Sequence, residues 1–419
     1  MPKKICVLGL GYVGLPTACM FAVQGFTVVG VDVKPGVVET ISKGGVHIEE
    51  AGLKTMLQAA INSRNLVARA EVEAADAFII AVPTPLTSDR RADISYVERS
   101  ARSLVSVLAP GNLVILESTV PPGTTAHLLC QILSESGLKP GADFHVAHSP
   151  ERVLPGNIFN ELVSNDRVIG GLTPECAKAA CRLYKTFVQG EIFLTDATTA
   201  EMVKLVENTF RDVNIALANE LFLLAAENDV NIFEIIALAN RHSRVNVHQP
   251  GPGVGGHCIP IDPWFIIEKS SEAGKLIKHA RTVNDSMPQR IVDLVGEIVG
   301  DGSDKKISVW GVAYKGNVDD TRETPAVPII DGLKNRNYKV GVFDFHVKNF
   351  LYELDSLEHA VSDADSILLL ADHKEFRYLD PHLIGQRMRR RVVIDTRNCL
   401  DPEKWKEAGF EFYLLRKKL

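Results

Sequence analysis

The residue best placed to do chemistry is Cys258. It follows a loop, Gly251-Pro252-Gly253-Val254-Gly255-Gly256, too rich in glycine to have been chosen for stability. Backbone N–H groups crowd such a loop, and with a cation nearby they lower a thiol's pKa until the thiolate can act as a nucleophile. Lys204 and Asn208 stand four residues apart in a helical pattern and so share one face of it. An ammonium and an amide side by side stabilise negative charge growing on a substrate oxygen, and Lys204 is the cation that would serve Cys258 if it folds close. By themselves the two read better as a solvated polar stripe; the cysteine loop is what gives them a task. Asp262, four residues after Cys258, could orient that lysine or a water. His257 adjoins Cys258, and because adjacent side chains rarely face each other it is read as a loop residue. Cys6, Cys19, Cys130, Cys176, Cys181 and Cys399 are read as inert packing.

A different chemistry is written near the start. Gly9-Leu10-Gly11-Tyr12-Val13-Gly14 follows an apolar β-rich run and opens a helical one, where glycine lets the backbone approach a pyrophosphate at the helix N-terminus. Asp32 ends the next strand at the distance expected for accepting from a ribose hydroxyl. A carboxylate there repels the extra phosphate of NADP, so NAD is the expected cofactor, with Lys34 two residues on as the one feature that softens the preference. Val82-Pro83-Thr84-Pro85 and Ser118-Thr119-Val120-Pro121-Pro122-Gly123-Thr124 each follow a strand at the edge where open α/β sheets hold ligands. Thr84 or Thr119 could face the nicotinamide or the substrate there, and proline-rich turns of this kind are also common as plain structure. Lys315, Asp319, Asp320, Arg322 and Glu323 cluster after a later strand, where basic side chains suit a diphosphate.

These residues need a scaffold, and the chain is long enough to build one. Its 419 residues suffice for two to four domains. Apolar content of 46%, charged content of 23% and 7% aromatics exclude a disordered chain, and a formal charge of −6 gives no general pull towards nucleic acid. Seven scattered cysteines with no CxxC pair suggest reduced thiols in a cytoplasmic enzyme, with no disulfide frame and no metal site. No apolar run is long enough to span a bilayer. Gly9, Gly11 and Gly14 break the opening apolar run and no small-residue cleavage site precedes Asp32, so a secretory signal is not expected.

The fold class predicted is α/β, with two Rossmann-like, doubly wound parallel-sheet domains joined by a helical middle domain that has one long central helix. Six strands are drawn in residues 1–196, at Ile5 to Leu10, Thr27 to Asp32, Ala77 to Val82, Leu113 to Glu117, Phe144 to His148 and Val168 to Gly170, with helical patterns at Leu15 to Gln24 and Ser95 to Leu108. Residues 197–300 are helical. Thr198 to Asp229 has neither proline nor glycine and repeats apolar residues at three- and four-residue steps, a helix of about 45 Å that either forms a linker core or packs on its copy in a dimer. Residues 301–419 resume the sheet pattern at Ile307 to Val312, Val340 to Phe345, Ser366 to Leu370 and Val392 to Asp395. Gly311 and Asp344 there echo Gly9 and Asp32.

Taken together, GLGYVGLP at Gly9 to Pro16, VPTP at Val82 to Pro85, ESTVPPGT at Glu117 to Thr124, SPERVLPG at Ser149 to Gly156, EMVKLVENTFRDVNIALANE at Glu201 to Glu220, PGVGGHCIPIDP at Pro252 to Pro263 and AYKGNVDDTRETP at Ala313 to Pro325 resemble, end to end, the nucleotide-sugar 6-dehydrogenases, the family that includes UDP-glucose dehydrogenase. SPERVLPG, NDRVIGG at Asn165 to Gly171 and NRHSRVNVHQPGPGVGGHC at Asn240 to Cys258 look most like its members that act on UDP-N-acetyl-D-mannosamine. The glucose enzymes usually carry a second acid four residues after the glutamate matched by Glu151; here that position is Pro155.

The resemblance implies a four-electron oxidation of a primary alcohol to a carboxylate with two NAD+, through a thiohemiacetal and a thioester on Cys258. It implies that Lys204 and Asn208 stabilise the oxyanions, that Asp262 manages protons near Lys204, and that Thr119 and Glu151 position or deprotonate water. Gly255 and Lys315 would grip the UDP-sugar and Arg322 the NAD diphosphate, while Arg244 resembles an arginine that reaches a neighbouring subunit's site. A homo-oligomer, a dimer or a dimer of dimers, is implied with them, as is a product acid that feeds cell-surface polysaccharide. Two rivals remain: a two-electron β-hydroxyacid dehydrogenase, which needs no cysteine, and an NAD-binding sensor, which needs none of Lys204, Asn208 and Cys258. UDP-N-acetylglucosamine, differing at one stereocentre, and UDP-glucose remain alternative substrates.

Overall fold

The computed structural model describes residues 2–48, 50–153, 156–268, 272–415 and 417–418. Pro155, the position that departs from the glucose enzymes, lies outside the described residues. The chain divides into two compact units, one of residues 1–207 with 264–270, the other of residues 208–263 with 271–419.

The first unit is built on an eight-stranded sheet. Its strands are β1 (Lys4–Leu8), β2 (Thr27–Val31), β3 (Leu66–Arg69), β4 (Ala77–Ile80), β5 (Leu113–Leu116), β6 (His145–His148), β7 (Arg167–Gly171) and β8 (Ile192–Asp196), in spatial order β3-β2-β1-β4-β5-β6-β7-β8. The first six make the order of a dinucleotide-binding sheet and pair in parallel. Their apolar runs are continuous because both faces are covered: Ile5 and Val7 enter one core, Cys6 and Leu8 the other. The helix Gly14–Val23, buried from Gly14 to Ala22, covers one of those faces.

Two features depart from the reading of the sequence. The first sheet is not wholly parallel, since β7 runs antiparallel to β6 and β8 then follows β7 in parallel. Direction is not legible in a short apolar run such as Val168 to Gly170, and the nine residues between β6 and the helix Ile158–Ser164 give no crossover signal. The strands β3 and β8 were also not foreseen: β3 alternates buried and exposed residues at a sheet edge, and β8 carries the exposed Phe193 and Leu194. The predicted strands end a residue or two early in the structure, so that Leu10, Asp32, Val82 and Glu117 lie beyond them, at the carboxyl edge.

The second unit carries β9 (Lys306–Trp310), β10 (Lys339–Phe343), β11 (Ser366–Leu369), β12 (Val392–Asp395), β13 (Glu411–Leu414) and β14 (Lys417–Lys418), in the order β10-β9-β11-β12-β13-β14. Five are parallel, and β14, like β13 absent from the sequence reading, closes the edge antiparallel. One core joins this sheet to the helix Lys275–Val299 and to Phe222, Ile232 and Ile236 of the helical segment. The long helix is observed as Ala197–Glu227, 31 residues or about 46 Å, and runs from the first unit into the second. Val206, Phe210, Leu217 and Leu224 stand about half exposed or more along it. No helix among the described residues is long and apolar enough to cross a membrane.

Candidate functional site

The glycine turn of the first unit is shaped by close approach. A Cβ at Gly14 would stand 1.9 Å from the carbonyl oxygen of Gly9, and Gly9 itself has φ +88°. A Cβ at Gly11, by contrast, would meet nothing within 4 Å, so that stretch of backbone is open for a ligand to lie against. Tyr12 and Val13 carry the turn into the helix that starts at Gly14. Asp32, half-buried just beyond β2, accepts from Leu10 N at 3.0 Å and Lys34 N at 2.9 Å, which fixes its carboxylate beside the turn. An open N–H turn at a helix N-terminus with an acid at the neighbouring strand end fits the pyrophosphate and ribose of a dinucleotide.

Around the same sheet edge the two proline-rich turns are tied together. The Thr84 hydroxyl donates to Thr119 O at 2.7 Å, and Ser118 Oγ accepts from Val82 N at 2.9 Å. Thr84 thus spends its hydroxyl on shaping the neighbouring turn, while Thr119 stays half-exposed. Glu201, on the long helix, accepts from Gly123 N at 2.5 Å and Thr125 N at 2.7 Å, fastening the Thr119 turn to the helix one turn before Lys204. Arg152 Nη2 meets Glu207 Oε1 at 2.7 Å, which fastens the loop bearing Glu151 to the same helix just past Lys204. The structure therefore brings Thr84, Thr119, Glu151 and the first turns of the long helix, with half-buried Lys204, into one unit.

Glu151 is buried and fully engaged. Its Oε2 accepts from Arg167 Nη2 at 3.0 Å and its Oε1 from Arg152 N at 2.6 Å. Arg167 also donates to Ser149 Oγ at 3.1 Å, lies 4.5 Å over the Tyr184 ring, and stands 3.7 Å from Glu117. Tyr184 donates to Glu117 Oε1 at 2.5 Å. Burial pushes the Glu117 carboxyl up to about 7, against the pull of Arg167. Arg167, Glu117 and Tyr184 were not singled out from the sequence, because a charge in NDRVIGG reads as solvated and nothing short of the strand direction says otherwise.

In the second unit the glycine loop that precedes Cys258 packs on the loop that follows β9. A Cβ at Gly255 would stand 2.7 Å from Glu323 O and from Tyr314 Cβ, one at Gly256 3.0 Å from the Tyr314 ring, and Gly256 N donates to Arg322 O at 2.9 Å. Cys258 is exposed, whereas Cys6, Cys19, Cys130, Cys176, Cys181 and Cys399 are buried. Burial pushes the Cys6, Cys19, Cys130 and Cys399 thiols up to about 11 or 12. The Cys258 carbonyl accepts from Asp262 N at 2.9 Å, so the cysteine sits at the entrance to the helix Asp262–Ile267. Asp262 is buried, and its Oδ2 accepts from Asn208 Nδ2 at 2.6 Å; the Asn208 oxygen accepts from Arg211 at 3.1 Å.

Asn208, four residues after Lys204 on the long helix, is thus one partner of Asp262. Lys315 and the neighbouring His257 are exposed. Arg322 forks onto Asp320, with Nη2–Oδ2 at 2.6 Å and Nε–Oδ1 at 2.9 Å, and holds that carboxyl low against the effect of burial. Arg322 belongs to the unit of Cys258, Gly9 to the other. Arg244 is exposed in the turn after the helix Ile232–Ala239, where its N–H donates to His242 Nδ1 at 3.3 Å. Tyr314 is the residue of this unit that the sequence reading passed over; its signal was an aromatic side chain next to Lys315 after a glycine-closed strand.

Known families agree with this geometry. Residues 3–188 match the NAD binding domain of the UDP-glucose/GDP-mannose dehydrogenase family, residues 198–286 its central domain and residues 308–402 its UDP binding domain. The chain belongs to that family. It is an NAD-dependent dehydrogenase, and its third segment is a UDP-binding domain. Among relatives, UDP-N-acetyl-D-mannosamine dehydrogenase of Methanocaldococcus jannaschii is 48% identical over 99% of this chain and 96% of its own length. NDP-N-acetyl-D-galactosaminuronic acid dehydrogenase of Ralstonia nicotianae is 46% identical over 94% of this chain and 96% of its own. The solved structure of UDP-D-ManNAc dehydrogenase from Pyrococcus horikoshii superposes with a TM-score of 0.93 at 44% identity, covering 99% of this chain and all of that one.

Proposed function

We propose that this dehydrogenase oxidises C6 of UDP-N-acetyl-D-mannosamine to the carboxylate in two steps, each consuming one NAD+. The observation that carries the reading is Cys258: an exposed thiol at the end of a glycine loop, in a chain similar over its whole length to UDP-N-acetyl-D-mannosamine dehydrogenases. A dehydrogenase that stopped at an aldehyde would have no use for it.

Bound NAD+ supplies a hydride acceptor. The chain supplies the rest. A water oriented by Asp262 takes the C6 hydroxyl proton, and the negative charge left on oxygen is stabilised by Lys204 and Asn208 as the alcohol loses hydride and becomes an aldehyde. An aldehyde has no second readily transferred hydride until a nucleophile adds, so the Cys258 thiolate attacks carbon and gives a thiohemiacetal. Loss of the second hydride leaves a thioester. Water, held by Thr119 and Glu151, adds to the thioester carbon; the C–S bond breaks, the acid leaves and the thiol is restored. Asp262, bonded to Asn208, fixes the amide that faces the oxyanion. Gly255 and Lys315 bind the UDP-sugar, Arg322 serves the NAD diphosphate and Arg244 completes a neighbouring subunit's site.

A copy of the chain packs along the exposed side of the long helix, where Phe210, Leu217 and Leu224 recur every seven residues. The enzyme works in the cytoplasm, and its product acid supplies cell-surface polysaccharide. The 46% identity to an enzyme whose name carries galactosaminuronic acid keeps a second N-acetylated sugar in view.

The test is the NADH formed per mole of sugar nucleotide, with UDP-N-acetylmannosamine, UDP-N-acetylglucosamine, UDP-N-acetylgalactosamine and UDP-glucose offered separately to protein sized by light scattering. Two NADH with the mannosamine sugar, from a dimer or larger, is the expected result. One NADH per sugar removes Cys258 from its role, and turnover of another sugar alone reassigns the substrate.

A further inference from the structure

The antiparallel step in the first sheet delivers a side chain to the candidate site. In the β6–β7 pair, Ala147 lies opposite Gly171 and His148 opposite Gly170. Continued three residues beyond His148, that register sets Glu151 opposite Arg167, the first residue of β7. A parallel β7 would have put its first residue at the other edge of the sheet. Here it comes to the carboxyl edge of β1 to β6, where the Thr119 turn also lies.

The pair is not isolated. Arg167 is held from every side by groups that are themselves buried: Ser149 Oγ at 3.1 Å from the loop after β6, the Tyr184 ring at 4.5 Å from the helix Pro174–Tyr184, and Glu117 at 3.7 Å from the end of β5. Glu117 in turn accepts from Tyr184 at 2.5 Å, with Thr17 Oγ1, from the helix Gly14–Val23, 3.4 Å from its other oxygen. Arg152, the remaining charge next to Glu151, turns its guanidinium away to Glu207. Two carboxyl groups thus flank one guanidinium in a buried pocket. Glu151 has the direct hydrogen bond, while Glu117 stands farther off, its pKa pushed up to about 7 by burial.

We propose that Arg167, itself oriented by Glu117, Tyr184 and Ser149, is the positioning residue for Glu151: it fixes the direction of that carboxylate for its work on the reaction water. The proposal rests on the reading that Glu151 acts in the reaction. Arg167 is buried and acts through Glu151. With Glu117 protonated, the guanidinium is committed to Glu151 alone. Without the guanidinium, the positive charge facing Glu151 is gone and the carboxylate turns freely.

The test uses the full chain with UDP-N-acetylmannosamine and NAD+. Arg167→Met should lower kcat at least tenfold, leave the KM for NAD+ within twofold and move the acid limb of the kcat profile to higher pH by about one unit or more. Arg167→Lys keeps the charge but cannot hold Ser149 and Glu151 together, so its kcat falls with the acid limb near its original place. Glu117→Gln leaves the acid limb in place or moves it down. A merely structural arginine would lower the melting temperature and the active fraction without moving the limb. An Arg167→Met protein that binds NAD+ with an unmoved acid limb overturns the proposal; if that variant does not fold, full kcat in Arg167→Lys overturns it. Glu151→Gln separates the two ideas. A large loss there with no effect at Arg167 sinks the positioning role alone, and no loss at Glu151→Gln sinks the reading beneath it.

Discussion

The two sheets begin with the same turn and use it for opposite ends. In the first, Gly9 has φ +88°, its N–H donates to Val31 O at 2.8 Å, and Leu10 N donates to Asp32. In the second, Gly311 has φ +80°, its N–H donates to Phe343 O at 2.9 Å, and Val312 N donates to Asp344. A Cβ on either glycine would collide with an alanine just past the next strand of its sheet, Ala81 or Ala371. Beyond that point they part. The helix after Gly9 starts at Gly14, and a Cβ at Gly11 would meet nothing within 4 Å, so the turn opens directly onto the helix N-terminus. The helix after Gly311 starts only at Ala326, and the intervening loop, with Tyr314 and Arg322, turns to pack on the glycines before Cys258. One frame holds a dinucleotide turn, and the other is a wall for the thiol.

The acids differ accordingly. Asp32 is half-buried and has two backbone donors. Asp344 is buried and meets the N–H groups of Val312, His346 and Val347 together with His373 Nε2 at 3.0 Å. His373 accepts from Asn317 N through Nδ1, which assigns the donated proton to Nε2, so that Asp344 spends its side chain on a buried histidine. The largest effect should therefore come from Asp344→Ala: removing one member of a buried pair leaves its partners unsatisfied, at about 3–5 kcal/mol. Calorimetry should show a loss of this size, equivalent to about 2–4 °C of Tm per kcal/mol in a unit of this length. A loss below 1 kcal/mol would mean that the two acids are the same kind of residue after all.

Asp32→Ala sharpens the contrast from the other side. Water can reach the N–H groups it leaves, so the melting temperature should stay within about 3 °C, while the KM for NAD+ rises about tenfold, the equivalent of 1.4 kcal/mol. Steady-state kinetics beside a thermal melt reads both. A melt as damaged as that of Asp344→Ala, with the KM unchanged, would make Asp32 structural and remove it from the cofactor site.

What the sequence could tell of this contrast follows from the range of each interaction. Gly9 to Asp32 was legible because glycine spacing, strand and acid are all local, and Gly311 with Asp344 was legible as an echo for the same reason. Cys258 stood out because its glycine loop is contiguous with it. His373 was not legible as the partner of Asp344, since it follows another strand of the sheet, 29 residues further along the chain. Nor was Arg167, whose position depends on β7 running backwards, or Glu201, whose two bonds to the turn at Gly123 appear only once the long helix is laid against it. The bond between Asn208 and Asp262 joins residues 54 apart, and nothing in either neighbourhood announces the other.

The smallest expected effect is also the one that reads both units at once, because their buried carboxyls titrate with opposite sign. Burial tends to raise Asp344, but His373 and the backbone donors hold it down at about 2, so its contribution to stability is present above about pH 4 and is lost as the pH falls towards 2. Glu117 is raised to about 7, mainly by burial. The folded chain then binds a proton that the unfolded chain releases near pH 4.5, and this contribution is complete below that pH and disappears as the pH rises through 7. Glutamine at position 117 keeps an acceptor for Tyr184 and has no charge to desolvate. The melting curve of Glu117→Gln, followed from pH 5 to pH 8, should therefore fall less steeply than that of the unmodified protein, by a few degrees over the interval, while the decline below pH 4 that belongs to Asp344 stays unchanged. Parallel curves across pH 5 to 8 would mean that Glu117 is ionised throughout and that Arg167 is shared between two carboxylates, which would weaken its commitment to Glu151.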